Sequence, residues 1–149
     1  MLTRLSCDEK SVGWVVSLEK SCFGVAAWTE ASVVAEFANT FSEFWAYIIE
    51  DEAVGYVGFR IVCGELQISN VAVLPQFRRR GIATQLVNAA VLRGKETGCS
   101  GAELEVNVSN VAARALYEKC GFTVAGVRKN FYSDGEYDTK DAYTMIRSL

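Results

Sequence analysis

Pro75-Gln76-Phe77-Arg78-Arg79-Arg80-Gly81-Ile82-Ala83-Thr84 is the stretch on which the fold turns. Before it runs Leu66 to Val73, rich in β-branched residues, which predicts a strand. After it, Ile82, Leu86, Val87, Ala90 and Val91 recur every three or four positions, which predicts an amphipathic helix ending near Gly94 to Gly98. The decapeptide is thus expected to carry a strand directly into a helix. The first four N–H groups of a helix lack partners within it and lie at the positive end of its dipole. With small residues at Gly81 and Ala83, a diphosphate can approach closely and be held largely by main chain. The three consecutive arginines are a fifth of the 15 lysines and arginines in the chain. On composition alone they read either as an anion site or as a solvated basic turn. Neither G-x-x-x-x-G-K-S/T nor G-x-G-x-x-G occurs, which argues against phosphoryl transfer from ATP and ordinary dinucleotide binding.

Working outward, Phe44 to Ile49, Val54 to Val62 and Leu66 to Val73, with a turn at Gly64, predict three successive antiparallel strands. The first forty residues read as helical, with Trp14, Val15 and Leu18 at helical spacing. A second helix starts near Thr29, a suitable N-cap, and carries Val33, Val34 and Phe37. Between these helices lies a loop with Phe23, Gly24 and Trp28. On the other side, Ala102 to Val108 predicts a strand, and Ser109 or Asn110 caps a helix through Lys119, with Gly121 just past its end. Two strands follow, around Phe122 to Val127 and Tyr143 to Ile146. No repeat, linker or low-complexity tract interrupts the pattern, and Pro75 is the sole proline. The expectation is one continuous domain over residues 1–149, of α+β or mixed α/β class.

The 149 residues are half apolar and 22% charged, enough to close a packed core without disulfides or metal. A net charge of −3 is too acidic for a protein held on nucleic acid by phosphate neutralisation, so any basic site is local. The chain has no histidine, which excludes a Ser-His-Asp triad, a Cys-His dyad and a histidine-bearing zinc site. Five cysteines without a C-x-x-C pair argue against a complete disulfide framework and a four-thiolate zinc site. No metal is expected, and reduced thiols point to a cytoplasmic protein. Met1 to Lys10 holds no hydrophobic run, and no stretch approaches the ~18 apolar residues of a membrane helix. The protein is expected to stay off membranes and not to be exported.

Candidate chemistry lies beyond the arginines. Glu103, Glu105 and Asn107 alternate with Leu104, Val106 and Val108, so the polar residues share one strand face. They form either a solvent-facing stripe or the place of a base, and periodicity does not choose between the two glutamates. Asn110 and Tyr117 are two helical turns apart and face the same side. Tyr117 either packs with Leu116 and Ala113 or meets a ligand. Cys120 has no histidine partner and sits near a helix C-terminus, which disfavours a thiolate, so it reads as a small buried residue.

Arg78-x-x-Gly81-x-Ala83 resembles the Gln/Arg-x-x-Gly-x-Gly/Ala acetyl-CoA signature of the GNAT acetyltransferases. Two flanking segments strengthen the likeness. Ile68-Ser69-Asn70-Val71-Ala72-Val73-Leu74-Pro75 precedes it, and Leu104-Glu105-Val106-Asn107-Val108-Ser109-Asn110 continuing through Ala115-Leu116-Tyr117-Glu118-Lys119-Cys120-Gly121-Phe122 follows it. Together they are similar to the bacterial ribosomal-protein-alanine N-acetyltransferases and to their archaeal and eukaryotic N-terminal acetyltransferase relatives. The likeness is close over residues 54–146 and looser before them.

The resemblance implies a mostly antiparallel central sheet flanked by helices and splayed between Leu66 to Val73 and Ala102 to Val108, where acetyl-CoA, the co-substrate, enters. It implies that main-chain groups of Val71, Ala72 and Val73 hold the acetyl and pantetheine end. Arg78, Arg79, Arg80, Gly81, Ile82, Ala83 and Thr84 would line the diphosphate, and Asn110 would touch the cofactor. Glu105 matches the family's general base and Tyr117 its general acid toward the departing thiolate. The implied acceptor is the N-terminal α-amine of a protein or peptide, a ribosomal protein among the candidates. An α-amine, with a pKa of ~8 against ~10.4 for lysine, also asks less of a weak base. Trp28, Phe131 and Tyr132 match the family's peptide-binding loops. The chain departs from the pattern in three places. Phe131 replaces one of two adjacent tyrosines, Ala26-Ala27-Trp28 stands for Phe-Pro-Trp, and Asn107 stands where many bacterial members have arginine. The last is expected to bear on which residue follows the acceptor amine. A lysine or small-amine acetyltransferase and a non-catalytic CoA-binding module are the competing readings.

Overall fold

The computed structural model describes residues 1–132 and 139–149. Leu2–Arg4 forms β1, which pairs antiparallel with β2 (Ser42–Ile49). Three residues are too few to show an alternating pattern, and so the sequence reading, helical for the first forty residues, passes over this strand. Helix α1 (Glu9–Phe23) starts at Asp8, whose carboxylate accepts from the Ser11 N–H at 2.8 Å. A 3-10 turn at Gly24–Ala26 separates it from α2 (Glu30–Ala38), capped by Thr29 as expected. Then come β3 (Glu52–Val62) and β4 (Glu65–Val73), each a little longer than the sequence predicts.

The passage from β4 into α3 (Ile82–Glu96) is not direct. A 3-10 turn at Pro75–Phe77 and the three arginines intervene, because proline supplies the φ for the turn and has no N–H to lose there. The chain continues through β5 (Gly101–Asn107), α4 (Val111–Lys119), β6 (Thr123–Arg128) and β7 (Ala142–Ser148). Asn110, not Ser109, caps α4, its side-chain oxygen accepting from the Ala113 N–H at 3.1 Å. Gly121, at φ 91°, ends that helix in the left-handed conformation that a residue with Cβ adopts only under strain.

The strands form one sheet in the order β1-β2-β3-β4-β5-β7-β6. Helices α1 and α2 cover one face, over Val15, Leu18, Val33, Phe44, Ala46 and Tyr56. On the other, α3 and α4 close a larger core around Phe59, Leu66, Leu86, Val87, Leu104, Phe122 and Met145. Among the described residues no helix is long and apolar enough to cross a membrane.

One pairing in this sheet is parallel, that of β4 with β5, and it covers only Glu65, Leu66 and Gln67 against Gly101, Ala102 and Glu103. Beyond Gln67, β4 stays with β3 and beyond Glu103, β5 stays with β7. The two strands therefore part in the middle of the sheet. The parting coincides with a β-bulge. Phe59 pairs with Ile68 but Gly58 pairs with Asn70, which leaves Ser69 as the extra residue. A bulge bends its strand and shifts the two-residue alternation by one. Leu66 and Ile68 before it face the α3 side, as do Val71 and Val73 after it, while Ala72 turns toward α1.

Candidate active site

The gap between β4 and β5 is where main-chain polar groups are left without a neighbouring strand. Leu74 N–H donates to Val54 C=O at 2.9 Å. Because an antiparallel ladder alternates, Ala72 opposite Tyr56 also spends its main chain on β3. Val71 and Val73 then direct theirs into the gap. Consistently, Val73 C=O accepts from Arg78 Nε at 2.9 Å and from the Cys22 thiol at 3.5 Å, both off the ladder. Of the three residues expected to hold the acetyl end, Val71 and Val73 turn their main chain into the gap. Ala72 contributes a small buried side chain on the opposite face.

At the start of α3 the N-cap is Gly81, with φ 77° and no side chain to occupy the helix amides. The first helical bond is Gln85 N–H to Gly81 C=O, so the N–H groups of Ile82, Ala83 and Thr84 precede any internal partner. A Cβ at Gly81 would meet nothing within 4 Å. Within the chain the glycine is needed for its backbone angle, and the space around it is open. The arginines do not act as a block. Arg78 folds back onto Val73, Arg80 lies over the Phe77 ring at 5.1 Å, and Arg79 sits at φ 64°. The expected anion site is thus mainly a helix N-terminus, with the arginine charge spread around it.

Glu105 lies on β5 between Leu104 and Val106, which are buried on the α3 side, so its carboxylate is on the α1 face. It is half-buried and pairs with Arg128 Nη1 at 3.2 Å. Burial lifts its carboxyl above the usual range, the Arg128 guanidinium pulls it down, and the charge of Glu103 pushes it up again. Arg128 also sits over the Phe131 ring at 5.5 Å, and Phe131 meets Tyr132 edge to face at 4.9 Å.

Tyr117 is buried, 8% exposed, in the α3-side core, with its ring edge-on to Phe122 at 6.2 Å. The packing reading and the chemical reading thus describe the same side chain. Burial drives the phenol well above its ordinary pKa, and the neighbouring Tyr132 and Cys120 add to this. The hydroxyl accordingly stays protonated at neutral pH. Acid and base candidates approach from opposite faces of the sheet, and one molecule can meet both only through the gap.

Several of the expected site residues also have structural partners of their own. Asn110 commits its side-chain oxygen to capping α4. Asn107 is buried, donating to Thr139 C=O at 2.8 Å and accepting from Ser109 N–H at 2.9 Å. It pins the end of β5. Cys120 is buried with its thiol pushed up by burial, as expected of a packed residue. Trp28 is half-buried on the α1 face and gives its main-chain N–H to Glu19 at 2.8 Å. Glu19 itself escapes a reading by residue type. Its signal is positional, since it falls on the helical stripe of Val12, Val15 and Cys22 where an apolar residue is due.

The sequence model of the acetyltransferase (GNAT) family matches residues 14–122, and the chain belongs to that family. It is an acyl-CoA-dependent N-acetyltransferase. Among curated proteins it is similar to one named as a ribosomal protein bS18-alanine N-acetyltransferase in Bacillus subtilis, at 33% identity over 138 residues, 92% of this chain and 91% of the relative. It is also similar to an N-alpha-acetyltransferase of Saccharolobus solfataricus, at 39% identity over 119 residues, 71% of this chain and 69% of the relative. The crystal structure of the ribosomal-protein-S18-alanine N-acetyltransferase from Escherichia coli matches with a TM-score of 0.86 at 25% identity, covering all of this chain and 94% of that one.

Proposed function

We propose that this chain transfers the acetyl group of acetyl-CoA to the N-terminal α-amine of a protein or peptide, with Glu105 as general base and Tyr117 as general acid. The observation that carries the reading is the gap between β4 and β5, with Glu105 on the α1 face of β5 and the buried Tyr117 in the core on the other face. The names of the relatives support the acceptor class. The bS18 assignment in two of them makes a ribosomal protein the first acceptor to try.

In this reading the diphosphate lies on the α3 amides and the thioester carbonyl lies against the main chain of Val71 and Val73. Glu105, directly or through a water, takes a proton from the acceptor ammonium. The freed amine attacks the carbonyl carbon, and the oxygen that gains charge is held by N–H groups of β4. As the C–S bond breaks, Tyr117 donates to the sulfur, the second proton of the attacking nitrogen returns through water to the tyrosinate, and Glu105 releases its proton to solvent. Both products leave without a covalent enzyme intermediate. Asn110 at the start of α4 is proposed as a further contact to the cofactor, and Trp28, Phe131 and Tyr132 as contacts to the acceptor.

Incubation with acetyl-CoA and short peptides, with free or blocked α-amines and with or without lysine, tests the acceptor. Acetylation of the free α-amine is the expected outcome. Modification of lysine or of a polyamine alone overturns the acceptor assignment, and cofactor binding without turnover on any amine overturns catalysis.

The ion pair with Arg128 gives a pH prediction. A guanidinium favours the charged form of a neighbouring carboxyl, so its removal raises the Glu105 pKa. A base works only when deprotonated. Arg128→Ala is therefore expected to move the acid limb of the kcat/KM profile to higher pH, read from initial rates across pH 5 to 9.

A further inference from the structure

Glu19 takes no part in the chemistry above, yet it has no exposed surface at all. A buried carboxylate is costly unless its oxygens are hydrogen-bonded. Here Oε1 accepts from Trp28 N–H at 2.8 Å, and Oε2 accepts from Tyr56 Oη at 2.7 Å and from Asn70 Nδ2 at 3.0 Å. Burial still pushes its carboxyl above the usual range, against the pull of those three donors. An aliphatic side chain would fill the same space on the Val12, Val15 and Cys22 stripe without that cost. What a carboxylate adds is direction, because charge-assisted hydrogen bonds hold their partners at set distances and angles.

Of the three partners, Tyr56 and Asn70 are held in register by the β3–β4 ladder, whereas Trp28 belongs to a separate loop. Trp28 ends the loop between α1 and α2, Tyr56 is in mid-β3, and Asn70 is the first residue past the β4 bulge. Asn70 is also the immediate neighbour of Val71, whose main chain faces the gap. Glu105 directs its carboxylate to the same α1 face on which Glu19 binds the loop. The loop is thus tied, through one side chain, to the edge of the gap on the side where the base stands.

We propose that Glu19 is a positioning residue that holds the Phe23 to Thr29 loop at a fixed height above the gap, so that an acceptor resting on the loop delivers its amine to the thioester. The inference rests on the proposed transfer across the gap, and it concerns the acceptor alone, not acetyl-CoA. Glu19→Gln keeps the shape but replaces one acceptor oxygen by an NH2 that faces a donor. It is expected to raise KM for the acceptor peptide about tenfold while KM for acetyl-CoA stays within twofold. Asn70→Ala, which cuts only the link to β4, is expected to shift the same constant in the same direction. Amide hydrogen exchange adds a readout independent of turnover, with faster exchange expected in residues 23–29 and the outer half of β4 and unchanged exchange in α3 and β7.

Unchanged acceptor KM in both variants overturns the proposal. So does a parallel loss in both KM values together with faster exchange throughout the sheet, the mark of a residue that serves only stability. If the wild-type protein acetylates a small amine and no peptide, the proposed acceptor class fails, and the KM split measured with that amine still decides the role of Glu19. If it acetylates nothing, the exchange pattern decides it.

Discussion

Glu105→Gln is expected to lower kcat about 100-fold at pH 7 and to leave acetyl-CoA affinity within twofold, measured by initial rates and by calorimetric titration. Positioned general bases contribute about 10² to 10⁴ in rate. The lower figure applies because an α-amine, with a pKa of ~8, is already about a tenth deprotonated at neutral pH. The form of the pH profile is as informative as the drop. Burial holds the Glu105 carboxyl above the usual range, so the wild-type rate falls on the acid side above where an ordinary carboxylate would place the limb. Without the carboxylate, the rate should follow the free-amine fraction of the acceptor alone, so the deficit narrows about tenfold between pH 7 and pH 9 and does not close. The same curve for both proteins would remove Glu105 from the chemistry. The glutamine also breaks the pair with Arg128, a half-exposed ion pair worth little to stability, so the melting temperature should move by no more than about 2 °C.

Tyr117→Phe is expected to reduce kcat by a similar factor of about 100 without a comparable rise in KM for either substrate. Removing the hydroxyl leaves the ring against Phe122 and the core packing intact, so a loss in rate would report on the oxygen and not on the fold. The burial that drives the phenol above its ordinary pKa means that no ionised form competes across the working range. The effect should therefore be flat from pH 6 to 9, unlike that of Glu105→Gln. It should also shrink when the leaving thiol is made more acidic, since a better leaving group needs less help. A phenylalanine variant with wild-type kcat would leave Tyr117 as a core aromatic.

Much of this arrangement is legible in the chain itself. The β-branched texture from Phe44 to Val73, the periodic run from Ile82 and the caps at Thr29 and Asn110 are local signals, and they yield six of the strands and all four α-helices at their places. What is not local is not legible. The strand at Leu2 to Arg4 exists because β2 offers it an edge. The Ser69 bulge is visible only once β3 supplies the register. Charge is misjudged for the same reason. Three adjacent arginines look like one cluster, but Arg78 turns to the end of β4 and Arg80 to an aromatic ring. Glu105 is singled out from Glu103 by family likeness, since both lie on one strand face; only the structure shows that Glu105 stands beyond the β4–β5 ladder and beside Arg128. Glu19 stays hidden because its meaning depends on partners 9, 37 and 51 residues away.

The bulge at Ser69 has a wider effect than bending one strand. By turning Val71 and Val73 toward β5 after the two strands have parted, it creates a sheet edge inside the protein, shielded from other chains by the strands on either side. Unpaired edges elsewhere invite aggregation. This internal one can be completed only by something narrow enough to lie between two strands, so recognition by the main chain and protection from misassembly arise from the same inserted residue. Under the proposed reading, acetyl-CoA lying there would also repair the sheet. A ligand at 100 times its dissociation constant adds about 2.7 kcal/mol to the folded state, and the enzyme is held together most firmly when it is about to react.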